Sequence, residues 1–221
     1  MGIISLEQMD RLYWLGRYTE RVYTTLRIYS RSFDTMIDEL DDSYQQFCEL
    51  IDIPNVYLDK EDFRKRYPFD EKNVDSIASN LDRAYDNAIE LRETIGSEAL
   101  SYIQLAVYEM NRARESESPL IELQSIMDNV LAFWGIADDQ IDSQQIRNII
   151  KAGKRIERID LYARLGVDRS ELIREVHRMV VRVEKSGMDY DSKILENLTS
   201  AIEKPDIDYY EIVNLVERII A

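Results

Sequence analysis

Cysteine, histidine, proline and glycine are all scarce in this chain. It carries one Cys, one His, four Pro and seven Gly in 221 residues. So few turn-forming residues exclude the many short connections of a β-sandwich or barrel. The lone Cys48 has no internal disulfide partner, which suits a reducing cytoplasm. A nucleophilic cysteine needs a basic neighbour, and the single His177 is distant in sequence, so Cys48 reads as a small, semi-buried core residue. One histidine also rules out the paired Glu-x-x-His elements of a di-iron or di-manganese bundle. Arg174 stands three residues before His177, which we expect to be an ordinary half-buried helix residue. No Gly-rich phosphate loop, zinc-ligand spacing or nucleophile elbow occurs, and we expect no cofactor.

No run approaches the roughly 20 apolar residues that span a bilayer. The opening Met1-Gly2-Ile3-Ile4-Ser5-Leu6 lacks the basic start of a signal peptide and fails the myristoylation pattern at Leu6. A cytoplasmic protein without a membrane role is therefore expected. Basic side chains number 28 against 43 acidic ones, a formal net charge of −15, which argues against general binding to nucleic acid or anionic membranes. Arg64-Lys65-Arg66 is the one concentrated basic run, and its plain reading is a solvated face.

What is present is helical periodicity. Apolar residues make up 45% of the chain, enough for a substantial core, and no alternating strand pattern appears. One or two long helices are expected from Leu6 to Leu50, then an irregular excursion at about 52–72 around Pro54 and Pro68. A second helical stretch runs from Val74 to about Arg114, interrupted near Gly96-Ser97. Pro119 opens a helix expected to end near Gly135. Asp142 to Leu165 forms another, stopped by Gly166, and Asp168 or Ser170 caps a helix ended by Gly187. Two shorter helices flank Pro205. The expected fold is all-α: a single domain over 1–221, an antiparallel bundle of seven to nine helices.

One pattern is written twice. Gly16-Arg17-Tyr18-Thr19-Glu20-Arg21 with Arg27 recurs 137 residues later as Gly153-Lys154-Arg155-Ile156-Glu157-Arg158 with Arg164. On a helix, Gly16, Glu20 and Arg27 share one stripe, and Gly153, Glu157 and Arg164 share its equivalent. Each Glu-Arg pair is adjacent in sequence and points apart, so each charge must find its partner elsewhere. The surroundings are apolar, as in a helix inside a bundle. The two copies are therefore expected to pack together about a pseudo-two-fold axis, Gly16 and Gly153 permitting close approach. Glu20 would then meet Arg158 or Arg164, and Glu157 would meet Arg21 or Arg27. The plain role for such a network is fixing helix register. The functional alternative uses Arg21, Arg27, Arg158 and Arg164 to hold a carboxylate or phosphate, with Glu20 or Glu157 as acid or base.

Leu12-Tyr13-Trp14-Leu15-Gly16-Arg17-Tyr18-Thr19-Glu20-Arg21 closely resembles the opening of the bacterial Alpha-E family, a helical domain named for its Glu-Arg motif. The second Gly-Lys-x-x-Glu-Arg-x5-Arg, Phe133-Trp134-Gly135, and Arg83-Ala84-Tyr85-Asp86-Asn87-Ala88-Ile89-Glu90-Leu91-Arg92 are similar to further elements of that family. Ile89 stands where arginine is expected, and Arg147 where an aromatic is usual. The resemblance covers about residues 6–170, the helices of 168–221 matching less well. It implies a link to circularly permuted ATP-grasp ligases and transglutaminase-like peptidases. The function it implies is that of an accessory or partner module in a system making peptide or amide bonds.

A rival reading rests on aspartates. Asp138-Asp139-Gln140-Ile141-Asp142 matches the DDxxD string that holds magnesium and diphosphate in helical isoprenoid synthases, and Asp34, Asp38 and Asp42 recur at four-residue spacing. In so aspartate-rich a chain such spacing arises easily by chance, and a turn and N-cap after Gly135 explain the first cluster well.

Overall fold

A computed structural model describes residues 4–38, 43–116 and 119–220, without the side chains of 33–38. Among the described residues there are eleven α-helices: α1 (Leu6–Asp38), α2 (Ser43–Leu50), α3 (Lys60–Arg66), α4 (Ile77–Glu90), α5 (Arg92–Ile95), α6 (Ser97–Glu115), α7 (Pro119–Gln140), α8 (Gln144–Arg164), α9 (Arg169–Glu184), α10 (Ser192–Glu203) and α11 (Tyr209–Val216). The only sheet-like feature among them is an isolated bridge between Tyr190 and Ile220.

Eleven exceeds the expected seven to nine because two short helices have local causes. Within the excursion, the Asp59 side chain accepts from the Asp62 amide and caps α3. Glu61 and Asp62 occupy its first turn and Arg64, Lys65 and Arg66 its last, the arrangement the helix dipole favours. The basic run thus has a structural origin. The four-residue α5 sits between Leu91 and Gly96.

A second correction concerns α7, which continues past Gly135 to Gln140. A helical glycine costs only about 1 kcal/mol relative to alanine, and burial of Phe133 and Ala137 on either side outweighs that. Asp138 and Asp139 therefore lie in the last turn of α7 rather than in a turn and N-cap. Ser143 caps the next helix by accepting from Ile146. The helix ends at Gly166 and Gly187 fall where expected, with φ of 56° and 73° that L side chains rarely adopt.

The helices gather into two compact units. The first comprises Met1–Glu20 with Asp142–Ala221. In it α8 packs on α9 and α11, and α10 on α9 and α11. Asp168, Asp191 and Asp208 each cap a helix through their side chains. Leu12, Leu15, Ile156, Ile159, Val176 and Met179 are among its buried residues.

The second unit is Arg21–Ile141. Here α6 packs on α7 and α4. Tyr29, Tyr44, Phe47, Tyr57, Phe63 and Tyr67 form an aromatic core, with Phe63 and Tyr67 stacked at 4.9 Å. Most of these hydroxyls are engaged: Tyr29 donates to the Arg64 carbonyl, and the Asn73 amide donates to Tyr57. The Tyr67 hydroxyl has no hydrogen-bond partner among the described residues, and burial pushes its pKa well above the ordinary value. Cys48 is fully buried rather than semi-buried, and desolvation raises its thiol to about 11, which suits a core residue and not a nucleophile. His177 is exposed on α9 rather than half-buried.

Within the first unit, α1 crosses α8 at backbone contact. A Cβ on Gly16 would fall 2.1 Å from the Ile150 carbonyl oxygen, and one on Gly153 would fall 2.1 Å from that of Tyr13. Both obstacles are backbone and cannot swing aside. We predict that Gly16→Ala or Gly153→Ala destabilises the protein by about 3 kcal/mol or prevents folding. Gly135→Ala, where a Cβ meets nothing within 4 Å, should stabilise it by about 0.5–1 kcal/mol. Chemical denaturation of the three variants checks the contrast.

Candidate functional site

The close α1–α8 crossing brings the glutamates of both motifs, Glu20 and Glu157, into one buried cluster of the first unit. One turn beyond Gly16, Glu20 is wholly buried and accepts a two-pronged pair from Arg158, Nε to Oε1 at 2.6 Å and Nη2 to Oε2 at 2.9 Å. Of the two expected partners, the structure thus brings Arg158 to Glu20. Arg164 is engaged by Asp160 at 3.1 Å and Glu217 at 2.9 Å.

Glu157, equally buried, accepts from Arg17 Nε at 2.7 Å. Arg17 was outside the expected pairings. Its guanidinium also lies 5.0 Å from the Trp14 ring centroid, and Trp14 stacks on Tyr18 at 5.2 Å. Arg21 and Arg27 belong to the second unit. Arg21 acts electrostatically on Tyr67, and Arg27 lies 6.0 Å from the Tyr23 ring centroid.

The cluster extends onto α9 through Glu175, which pattern reading also missed. Glu175 sits on the buried stripe of Leu172, Val176, Met179 and Val183. It accepts from Arg155, and from Arg178 at 3.1 Å, with Arg158 at 3.8 Å and Arg174 at 3.9 Å. An acid on an otherwise apolar helix face was the available signal, since burial of a lone carboxylate demands cationic partners.

These contacts set the electrostatics. Burial alone would lower the Arg158 and Arg17 guanidiniums, but Glu20 and Glu157 more than offset it, and both pKa values move up. Lys154 behaves oppositely. Burial foremost, with repulsion from Arg158 and Arg155, lowers its ammonium to about 7 despite the attraction of Glu20. Lys154 occupies the position in the second copy that Arg17 holds in the first. That substitution was the sequence signal for a distinct role.

The remaining candidates lie elsewhere. Asp138 and Asp139 belong to the second unit and Asp142 to the first. Among the described residues, no group of three or more His, Cys, Asp or Glu side chains could hold a metal ion. Asp42 and the side chains of Asp34 and Asp38 fall outside the described residues. In the basic run, Arg64 and Lys65 pair with Glu61 and Arg66 with Asp62. Arg64 and Lys65 line a cleft of about 740 Å³ with Phe69, Arg114 and Ile121. No helix among the described residues is long and apolar enough to cross a membrane.

The repeated Glu-Arg string at this crossing agrees with a family model that matches residues 8–201, described as a predicted alpha-helical domain with a conserved ER motif. The chain belongs to the Alpha-E family. The Alpha-E match runs further than the signatures alone, through α9 and into α10. No curated protein and no solved structure matches the chain at a significant level.

Lys154 yields a prediction. Its folded pKa lies below its unfolded value near 10.4, so between about pH 7 and 10 the unfolded chain binds more protons and this group makes stability rise with pH. Lys154→Met should remove that rise, a slope of at most about 1.4 kcal/mol per pH unit. Denaturation midpoints of both proteins across that window measure it.

Proposed function

We propose that this Alpha-E chain is an accessory or partner module of an ATP-grasp-linked peptide- or amide-bond-forming system. The Glu-Arg core serves as its rigid frame rather than as a reacting centre. One observation carries the choice: Glu20 is 0% exposed and Arg158 engages both its oxygens, so the carboxylate does not face a substrate. Glu157, also buried, is held by Arg17. A carboxylate locked to a guanidinium is a poor proton shuttle but a good register pin.

On this reading the two motif copies are an internal duplication about a pseudo-two-fold axis within a single helical domain. The exchange of roles supports it: Gly16 abuts Ile150 and Lys154, and Gly153 abuts Tyr13 and Arg17, each pair offset by the repeat length. The link to ATP-grasp ligases, or to transglutaminase-like peptidases, rests on what is implied for family members. A cytoplasmic location suits those partners.

The enzymatic alternative has one favouring observation, the Lys154 amine that titrates near neutrality beside Glu20. It would make the cluster an acid–base site for a carboxylate- or phosphate-bearing substrate, with Arg158 orienting the anion. The two readings part at Glu20→Gln. As a frame, Glu20 leaves Arg158 buried without its countercharge when neutralised, and the variant loses about 3 kcal/mol of stability. As an acid or base, the variant keeps its thermal midpoint and loses turnover. The magnesium-dependent isoprenoid reading has no assembled acid cluster to support it among the described residues.

The partner role is tested by co-purifying the tagged protein with an ATP-grasp ligase of its own genome and assaying ligase activity with and without it. Association or a change in ligase rate is expected. A folded protein that does neither sinks the proposal.

A further inference from the structure

The overall charge of −15 hides a strong asymmetry. Between Gln144 and Lys185, the α8–α9 hairpin carries eleven Lys and Arg against six Asp and Glu, whereas the rest of the chain carries 17 against 37. Several acids of the hairpin are internal: Glu157, Asp160 and Glu175 are all buried, and each is met by an arginine. The exposed balance is therefore more basic than the composition.

Those cations are organised. Arg155 and Arg158 of α8 and Arg174 and Arg178 of α9 converge on the one carboxylate of Glu175. Arg174 and Arg178 remain 53% exposed, one turn apart on the same face of α9, and Arg182 continues the row while donating to Asn148 at 2.9 Å. Four guanidiniums present far more donors than one buried carboxylate can accept, and although Arg174 also approaches Glu171 at 3.7 Å, it and Arg178 keep about half their surface open to solvent. A buried anchor beneath an exposed arginine row also restrains those side chains, lowering the entropy lost when an anion docks.

We infer that the arginine row of α9, anchored by Glu175, docks a short acidic segment of a protein partner. This rests on the partner-module reading and names its surface. Charge complementarity identifies the occupant. Guanidiniums match carboxylates in pairs, and two of them one helical turn apart suit carboxylates spaced along a short peptide. The chain's net charge of −15 weighs against binding a long polyanion such as nucleic acid, so a short segment is favoured.

The test measures fluorescence anisotropy of a labelled deca-glutamate peptide at low salt. The proteins are the wild type, the double variant Arg174→Gln/Arg178→Gln, and a charge-matched control, Lys65→Gln/Lys72→Gln. Arg155 and Arg158 still hold Glu175 in the double variant, and a thermal melt verifies its fold. The expected result is salt-sensitive binding weakened roughly tenfold in the double variant and unchanged in the control. Absence of binding to the wild type, or equal binding by both variants, overturns the inference. Tighter binding of a single-stranded oligothymidylate through the same arginines also overturns it, in favour of nucleic acid. The ligase arm separates this surface from the broader reading. Ligase association that survives loss of peptide binding overturns the surface as the docking site and leaves the partner module standing. Peptide binding lost in the double variant, with a ligase that never associates, supports the surface and removes that partner.

Discussion

The contact on which the first unit depends is the meeting of two helix backbones at Gly16 and Gly153. At that distance the crossing has no slack: each glycine lies against a carbonyl of the opposite helix, and any side chain would push the pair apart. Such an approach fixes rotation and register of both helices together. One turn on from each glycine comes a glutamate, and the crossing sets which cations those carboxylates can reach. The glycines act first in this causal order, because without them Glu20 and Arg158 could not close to hydrogen-bond length.

The charges then add specificity more than stability. Burying Glu20 and Glu157 is expensive, and their arginines offset that cost without a large surplus. A hydrophobic crossing of the same shape could slide or rotate. One in which a slip leaves a buried carboxylate unpaired cannot do so cheaply. Arg17 and Lys154 break the equivalence of the two copies. The guanidinium holds its charge under burial by pairing with Glu157, while burial, with repulsion from Arg158 and Arg155, lowers the Lys154 ammonium to about 7.

Much of this was legible because spacing on a helix is geometry. Glycine four residues before a buried glutamate, written twice, pointed to two helices in close contact, and the Glu20–Arg158 pair follows from it. The Glu157–Arg17 pair did not follow, because attention to Glu-Arg adjacency hid the long side chain next to Gly16, whose reach lets it fold over Trp14 and still meet Glu157. One helix boundary and one short helix escaped for a different reason. Gly135 looks like a terminator, yet the packing of Phe133 and Ala137 holds the helix through it. The basic run of 64–66 is the solvated face it was read as, with Lys65 and Arg66 exposed, but the short capped α3 that carries it within the excursion was not legible.

Glu175 shows where pattern reading stops and charge accounting begins. Its place on the apolar stripe of α9 is visible in the sequence, but which cations answer it depends on how α8 lies against α9. Once they pack, one carboxylate draws arginines from both helices and fastens a basic row to the hairpin. Like charges in such a row repel one another. The buried carboxylate of Glu175 offsets that repulsion by attracting arginines from both helices. Local cationic character therefore follows from the interior of the hairpin, and the exposed face of α9 inherits it.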